Sequence, residues 1–220
     1  MHIMVRASRL LDRFDVLAGI LVVDYAILVT NLATRYTAIA VVLPIFLTVR
    51  IAQLASGLRG IWLQIGQVAA ALGLIAAVAD GLWPGRVTGG VVNALFAVAM
   101  FASFILVASH VLRTEDVTAR TMLASLCVYL LLGLCFALID ASVGEVSRHF
   151  FLQHGTHDYN DYSYFSFITL TTVGYGDLTP FGSVPRACAV LESISGQIVL
   201  VTLVARTVSS ATSMRHRRER

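Results

Sequence analysis

Apolar positions along this chain do not alternate with polar ones; they run on. Six stretches stay apolar for roughly the ~20 residues that a helix needs to cross a hydrocarbon layer: residues 16–33, 38–54, 61–79, 90–112, 121–143 and 187–208. Each is predicted to be a membrane-spanning helix, the second kinked at Pro44. Trp83-Pro84-Gly85 is the sharpest break between them. A seventh apolar stretch, residues 162–170, reads Tyr-Ser-Tyr-Phe-Ser-Phe-Ile-Thr-Leu and is too short to span. It suits a half-helix that enters the membrane without crossing it. Such irregular backbone is tolerated at membrane depth only where it lines a pore or is buried in protein.

Composition agrees with that pattern. The 220 residues are 57% hydrophobic and 13% charged, with mean hydropathy +0.80, far outside the range of soluble domains. The expected class is an all-α, multi-pass membrane protein. The basic start lacks a small-residue cleavage site, so the first run reads as a true span rather than a signal peptide. All 16 basic residues are arginine, which with the abundant alanine fits a GC-rich bacterial genome. The net charge of +3 points to topology and not to a nucleic-acid partner. With the N-terminus inside, Arg35, Arg86, Arg148 and Arg186 fall outside and the other 12 of 16 arginines fall inside. That asymmetry predicts six spans with both termini cytoplasmic, in a cell (inner) membrane. The basic tail, 211–220, would rest on anionic lipid headgroups. Cys127, Cys135 and Cys188 lie within spans, have no metal-like spacing, and read as buried thiols.

The chemistry sits in Thr171-Thr172-Val173-Gly174-Tyr175-Gly176-Asp177, directly after the half-helix. A carbonyl-lined pore needs successive carbonyls to point the same way. Alternating left- and right-handed backbone achieves this, and glycine takes the left-handed conformation at least cost. Gly174 and Gly176 have the required two-residue spacing. Thr172 can add its hydroxyl at the inner end, and the Tyr175 ring can pack outward to hold the diameter. Thr172 to Gly176, flanked by Thr171 and Asp177, resembles the signature of the tetrameric potassium-channel superfamily. The resemblance covers residues 158–206. It implies four chains around one axis, with rings of backbone carbonyls replacing the water shell of a potassium ion. K+ is then the permeant ion, with no cofactor and no enzymatic chemistry. Nothing in the sequence pairs a nucleophile with a base or forms a nucleotide motif.

Several residues are expected to support such a filter. Asn160 or Asp161 would cap the half-helix, whose C-terminal dipole end would face a dehydrating cation. Tyr164 and Phe165 would pack around Tyr175, where the family often has a tryptophan pair. Ile168 stands where some relatives carry an acid behind the filter, so Asp177 must find another partner. Glu192 is the acid within the sixth run, and an ionisable group at that depth calls for a partner: hydroxyls of the half-helix, or Arg186, with a half-solvated outer position as the alternative. Gly196 lies 22 residues after Gly174, the spacing at which relatives carry a hinge glycine. It would serve bending or close packing. Leu200 and Val204 continue its face and would line the inner vestibule, where an apolar constriction can gate by dewetting.

Outside the filter the reading is coarser. Asp140, Glu145, Asp158 and Asp161 precede it and would raise cation concentration at the mouth. His149, His154 and His157 share that segment, as a solvated loop, a proton sensor or a zinc site. Asp24, Asn31, Gln64, Gln67 and Asn93 are polar groups expected to hydrogen-bond between helices. The fourth run carries no arginine from 87 to 112, so the six-span, voltage-gated-like architecture lacks the charge ladder that would make it voltage-gated. The domains read as a cytoplasmic N-terminus (1–15), four peripheral spans (16–112), a pore unit (113–210) and a basic tail (211–220), with no room after Val208 for a tethered ligand-sensing domain. The expected function is potassium-selective conduction by a homotetramer in lipid. The alternatives are a weakly selective cation channel and a non-conducting regulatory subunit.

Overall fold

The computed structural model describes residues 14, 16–23, 47–53, 60–83, 85–114, 119–147 and 149–218. Asp24, Asn31, Pro44 and much of the first two expected spans lie outside these residues. Residues 16–23 and 47–53 are helical. Five helices follow: α1 (Ile61–Leu82), α2 (Arg86–Arg113), α3 (Ala119–Ser147), α4 (Tyr159–Leu170) and α5 (Ser183–Arg218). Of these, α1, α2, α3 and α5 are long and apolar enough to cross a membrane. Among the described residues no strand forms, and Phe151 and Pro180 make an isolated antiparallel bridge.

The third to sixth apolar runs fall inside α1, α2, α3 and α5, each of which extends past its run. Helix α3 continues to Ser147, beyond the expected end at residue 143. That extension matters because it carries Asp140 well inside a helix and not at a solvated helix end.

Helices α1 to α3 pack side by side through small residues. Gly66, Ala69, Ala70, Gly73 and Ala77 are the buried positions of α1, and the Gly73 face lies against the Phe96 ring of α2. Lipid tails are as apolar as leucine, so helices in a membrane associate by close fit and by hydrogen bonds between them. One such bond joins the Ser142 hydroxyl of α3 to the Gly90 carbonyl of α2 at 2.9 Å. At the α1–α2 turn the Asp80 carboxylate accepts from the Gly85 amide at 3.3 Å and from the Thr88 hydroxyl. Asn93 is buried in α2, whereas Gln64 and Gln67 on α1 are exposed.

Helix α4 is only 12 residues long and nests between α3 and α5. Glycines open the space for it. A Cβ on Gly133 would meet the Phe167 ring at 2.7 Å, and one on Gly144 would collide with the Tyr162 hydroxyl. The half-helix is thus held in a groove of α3 that begins at Gly133 and ends at Gly144.

Candidate ion-conduction site

The site is assembled around α4. Its N-terminus is capped by Asp158, whose carboxylate accepts from the amides of Asn160 at 3.0 Å and Asp161 at 3.3 Å. The cap therefore lies two residues before Asn160 and three before Asp161, the expected alternatives. All three residues are good caps by type; the one chosen is the one whose backbone is extended, at φ −103° and ψ −177°. Asp161 instead occupies the first turn, where its charge favours the helix dipole. It also meets His157, whose Nδ1 lies 2.8 Å from the Asp161 carboxylate while its Nε2 lies 3.1 Å from the Gln153 carbonyl.

At the other end, α4 terminates at Leu170 and the chain turns sharply. The amides of Val173 and Gly174 both point back to the Ile168 carbonyl, at 2.9 and 3.1 Å. Ile168 thus contributes its backbone to this turn. The Tyr129 hydroxyl of α3 donates to the Leu170 carbonyl at 3.0 Å, satisfying one of the orphaned acceptors of the helix end. From there φ is positive at every second residue: 59° at Thr172, 52° at Gly174 and 80° at Gly176. Glycine adopts this region freely. A β-branched residue does not, so Thr172 holds about 1–3 kcal/mol of local strain. Residues 171–177 are exposed within the chain, with Val173 and Tyr175 at 51% and 73%.

Tyr164 presents its hydroxyl to the Asp177 carboxylate, which supplies the partner that an acid at position 168 would have provided. Phe165 behaves differently from the expected cuff around Tyr175. It turns away and packs among Phe150, Phe151 and Tyr162, with ring centroids 5.7 and 5.2 Å from the two phenylalanines. That aromatic cluster anchors the loop before α4 to the loop after the filter. Leu152 donates to the Thr179 carbonyl at 2.8 Å, and Phe181 to that of Phe150 at 2.7 Å. The Gln153 side chain accepts from the Thr179 amide and donates to its hydroxyl, both at 3.0 Å.

Behind α4 stands α5. Glu192 is fully buried, so its expected half-solvated alternative does not hold, and its partner is the Ser166 hydroxyl of α4 and not the exposed Arg186. Ser166 also donates to the Gly133 carbonyl at 2.7 Å. Asp140 is fully buried as well, so it is not one of the acids at a solvated mouth. Gly196 sits where a Cβ would meet both the Leu170 carbonyl and its side chain at 2.8 Å. That is the close-packing role, and α5 runs unbroken through it. Leu200 and Val204 are exposed within the chain, on the helix that follows. The sequence alone does not point to Tyr129, Gln153 or the burial of Asp140, whereas a half-helix hydroxyl is the expected partner of Glu192 and Ser166 supplies it. Ser163 and Ser166, one turn apart on a mostly apolar half-helix, were the available signal for a polar partner on α5.

A cavity of about 700 Å³ lies beside the loop, lined among others by Glu145, His149, Gln153, His154 and His157. Among the described residues no group of three or more side chains is arranged to hold a metal ion. Cys127 and Cys135 are buried and Cys188 is half-buried, and none of the three is in a disulfide.

The same segment carries the likeness to known proteins. Residues 124–213, from α3 through α5, match the family described as "Ion channel". Two-pore potassium channel 1 of Arabidopsis thaliana is 35% identical over 88 residues, 40% of this chain and 22% of that protein. Two-pore potassium channel 4 of the same plant is 29% identical over 104 residues, 46% of this chain and 37% of that protein. This chain thus spans well under half the length of either relative. These matches fall on the pore-like segment, and four of the described helices are long and apolar enough to cross a membrane. No solved structure matches.

Proposed function

We propose that the chain is one subunit of a homotetrameric potassium channel that conducts K+ passively through carbonyl rings of Thr172, Val173, Gly174, Tyr175 and Gly176. The observation that carries this reading is the backbone of that stretch. Positive φ at 172, 174 and 176 is the alternation that turns successive carbonyls to one side, and one strand alone cannot surround an ion. Further support is the unburied state of α5: 11% of its spanning window is buried, against 56% in α2 and α3. An apolar helix so bare has room for copies of itself around an axis and for lipid.

In this reading six spans divide into four peripheral ones (16–112) and a pore unit (113–210), between a cytoplasmic N-terminus and the basic tail 211–220. Both termini face the cytoplasm of a bacterial cell membrane. Thr171 and Asp177 flank the filter, and Tyr164, Phe165 and Glu192 support it. Leu200 and Val204 line the vestibule below Gly196. Without arginines in the fourth span, conduction does not follow voltage steeply.

The test is potassium flux from liposomes that hold the purified protein alone. Barium-sensitive flux is expected, with a reversal potential near that of potassium in a sodium–potassium gradient. A reversal near zero would instead indicate a weakly selective cation channel. No flux from a folded tetramer would indicate a regulatory subunit.

A further inference from the structure

The α3–α4–α5 junction holds a polar cluster that filter geometry does not require. On α3, Gly133 and Gly144 both face α4. Asp140 is seven residues after the first and four before the second, which places it on the same stripe. It is fully buried, and neither carboxyl oxygen has a hydrogen-bond partner. On α4, Ser163 and Ser166 stand one turn apart; both are fully buried, and the Ser163 hydroxyl has no partner. From α5 comes Glu192, fully buried, with Oε1 on Ser166 and Oε2 without a partner. Asp140 and Glu192 lie within electrostatic reach of each other. The other titratable groups facing the pair are Cys135 and Tyr129 from α3, Tyr162 from α4 and Cys188 from α5. None of these is a cation.

Counting hydrogens decides what the cluster is. Three oxygens stand in a row: the Gly133 carbonyl, the Ser166 hydroxyl and Glu192 Oε1. Two contacts in that row need two protons. The carbonyl has none, and the serine has one, which it donates to the carbonyl. The second must come from the carboxyl group. Two ionised carboxylates in one dry site also repel strongly, and neither is compensated.

We propose that Glu192 and Asp140 form a proton-binding site behind α4, in which Glu192 is a carboxylic acid that donates its hydrogen to Ser166. Asp140 is the second seat for that proton. The site acts on position: while Glu192 carries the proton, α5 is hydrogen-bonded to the middle of α4. When the proton leaves to bulk base, the one hydrogen of Ser166 remains for two contacts, so either the Gly133 carbonyl or Glu192 loses its donor; a negative charge then faces Asp140, and α5 is pushed from the half-helix. The sign follows: the protonated form is the assembled one, so support is present at lower pH and is lost as pH rises through the titration of the pair. The effect on conduction rests on the channel reading above; the protonation itself does not.

The experiment is infrared spectroscopy of the full-length protein in lipid at neutral pH, with 13C-glutamate or 13C-aspartate labelling. A carboxylic-acid C=O band is expected that moves with the glutamate label, moves again in D2O, and is missing in Glu192→Gln. Glu192→Gln retains a hydrogen for Ser166 and is expected to keep the tetramer. Its potassium flux should stay level into alkaline pH, where wild-type flux falls. Asp140→Asn should likewise blunt the alkaline fall. A wild-type spectrum in which the glutamate label moves carboxylate bands only would overturn the proposal, and so would an alkaline fall that survives in both variants. Carboxylate bands together with thermal stability that rises on adding sodium or calcium would assign the site to a metal cation, and would overturn it equally. A protein with no flux at any pH still yields the infrared result, so failure of the channel reading and failure of the proton site are distinguishable.

Discussion

Helix α2, with α1 packed on its other side, and the α4–α5 pore unit both sit against α3, and the two sides are held by different means. Between α1 and α2 the contact is a seam of small and apolar residues, with Gly73 against Phe96. Around α4 the contacts are polar and individually placed: Tyr129 on Leu170, Ser166 on Gly133 and Glu192, Tyr164 beside Asp177, Gln153 on Thr179. Helices α2 and α3 bury more than half of their spanning windows within the chain, whereas α1 and α5 leave most of theirs uncovered. A close apolar fit suffices to hold two spans together. A loop that must present backbone oxygens to an ion needs each end and each turn fixed, because its own main-chain groups are not spent on regular structure.

Paired glycine substitutions should separate the two regions most strongly. In Gly196→Ala the new methyl meets the Leu170 backbone oxygen at 2.8 Å. Backbone cannot swing aside, so α5 must shift from the end of α4. A loss of about 1–3 kcal/mol is expected, with disappearance of flux and a weakened tetramer on non-denaturing gels. Gly73→Ala meets the edge of the Phe96 ring at 3.2 Å, and a ring edge can yield by that little. The expected loss is at the low end of the same range, about 1 kcal/mol, with flux retained. Equal effects of the two substitutions would erase the distinction drawn between the regions.

Gly174→Ala comes next. Nothing lies within 4 Å of a Cβ there, so packing is not at issue. What changes is the backbone, held at φ 52°, where a side chain costs roughly 1–2 kcal/mol. The tetramer is expected to assemble with nearly normal thermal stability, while the reversal potential in a sodium–potassium gradient moves toward zero. Unchanged selectivity would mean that the left-handed turn at Gly174 does not order the carbonyls.

The two regions also differed in how much the sequence disclosed. Hydrophobic runs located α1, α2, α3 and α5, since length and apolarity are what a spanning helix requires. Glycine spacing located the turn at 174 and 176, since few other residues adopt it. Glu192 was legible as a charge at membrane depth that needs a hydroxyl. Asp140 was not. The apolar run was read as ending four residues before α3 does, and an acid near a run's end reads as solvated. The cap lies two or three residues before the expected one, because Asp158, Asn160 and Asp161 compete on equal chemical terms and only the bend of the preceding loop chooses among them. Its place beside Tyr164 makes Phe165 an expected partner of Tyr175. Successive helical residues point about 100° apart, and the buried Phe150–Phe151 pair, distant in sequence from the filter, claimed that face.

Removing the cap tests the same pore unit more gently. Asp158→Ala deletes the carboxylate that accepts from two amides of α4, and caps of this kind contribute about 1 kcal/mol. The tetramer should melt at lower temperature with ion selectivity unchanged, because the filter lies at the opposite end of the helix. Asp158→Ser, which keeps a side-chain acceptor, should recover most of the loss.

The smallest contrast is between two single hydrogen bonds, one in each region. Ser142→Ala removes the bond to Gly90 that joins α3 to α2, and interhelical bonds of this type in a membrane average about 0.6 kcal/mol. Tyr129→Phe removes the bond to Leu170 at the end of α4, leaving a carbonyl without that donor at a cost of about 1–3 kcal/mol. Both variants keep nearly the same shape, so volume is not confounded with bonding. Tyr129→Phe is expected to lower flux and tetramer stability together. Ser142→Ala is expected to leave flux within experimental scatter. If Ser142→Ala proved the more damaging, the peripheral seam and not the polar collar would be what holds the half-helix in register. The support of the filter would then have to be traced through α2 rather than α5.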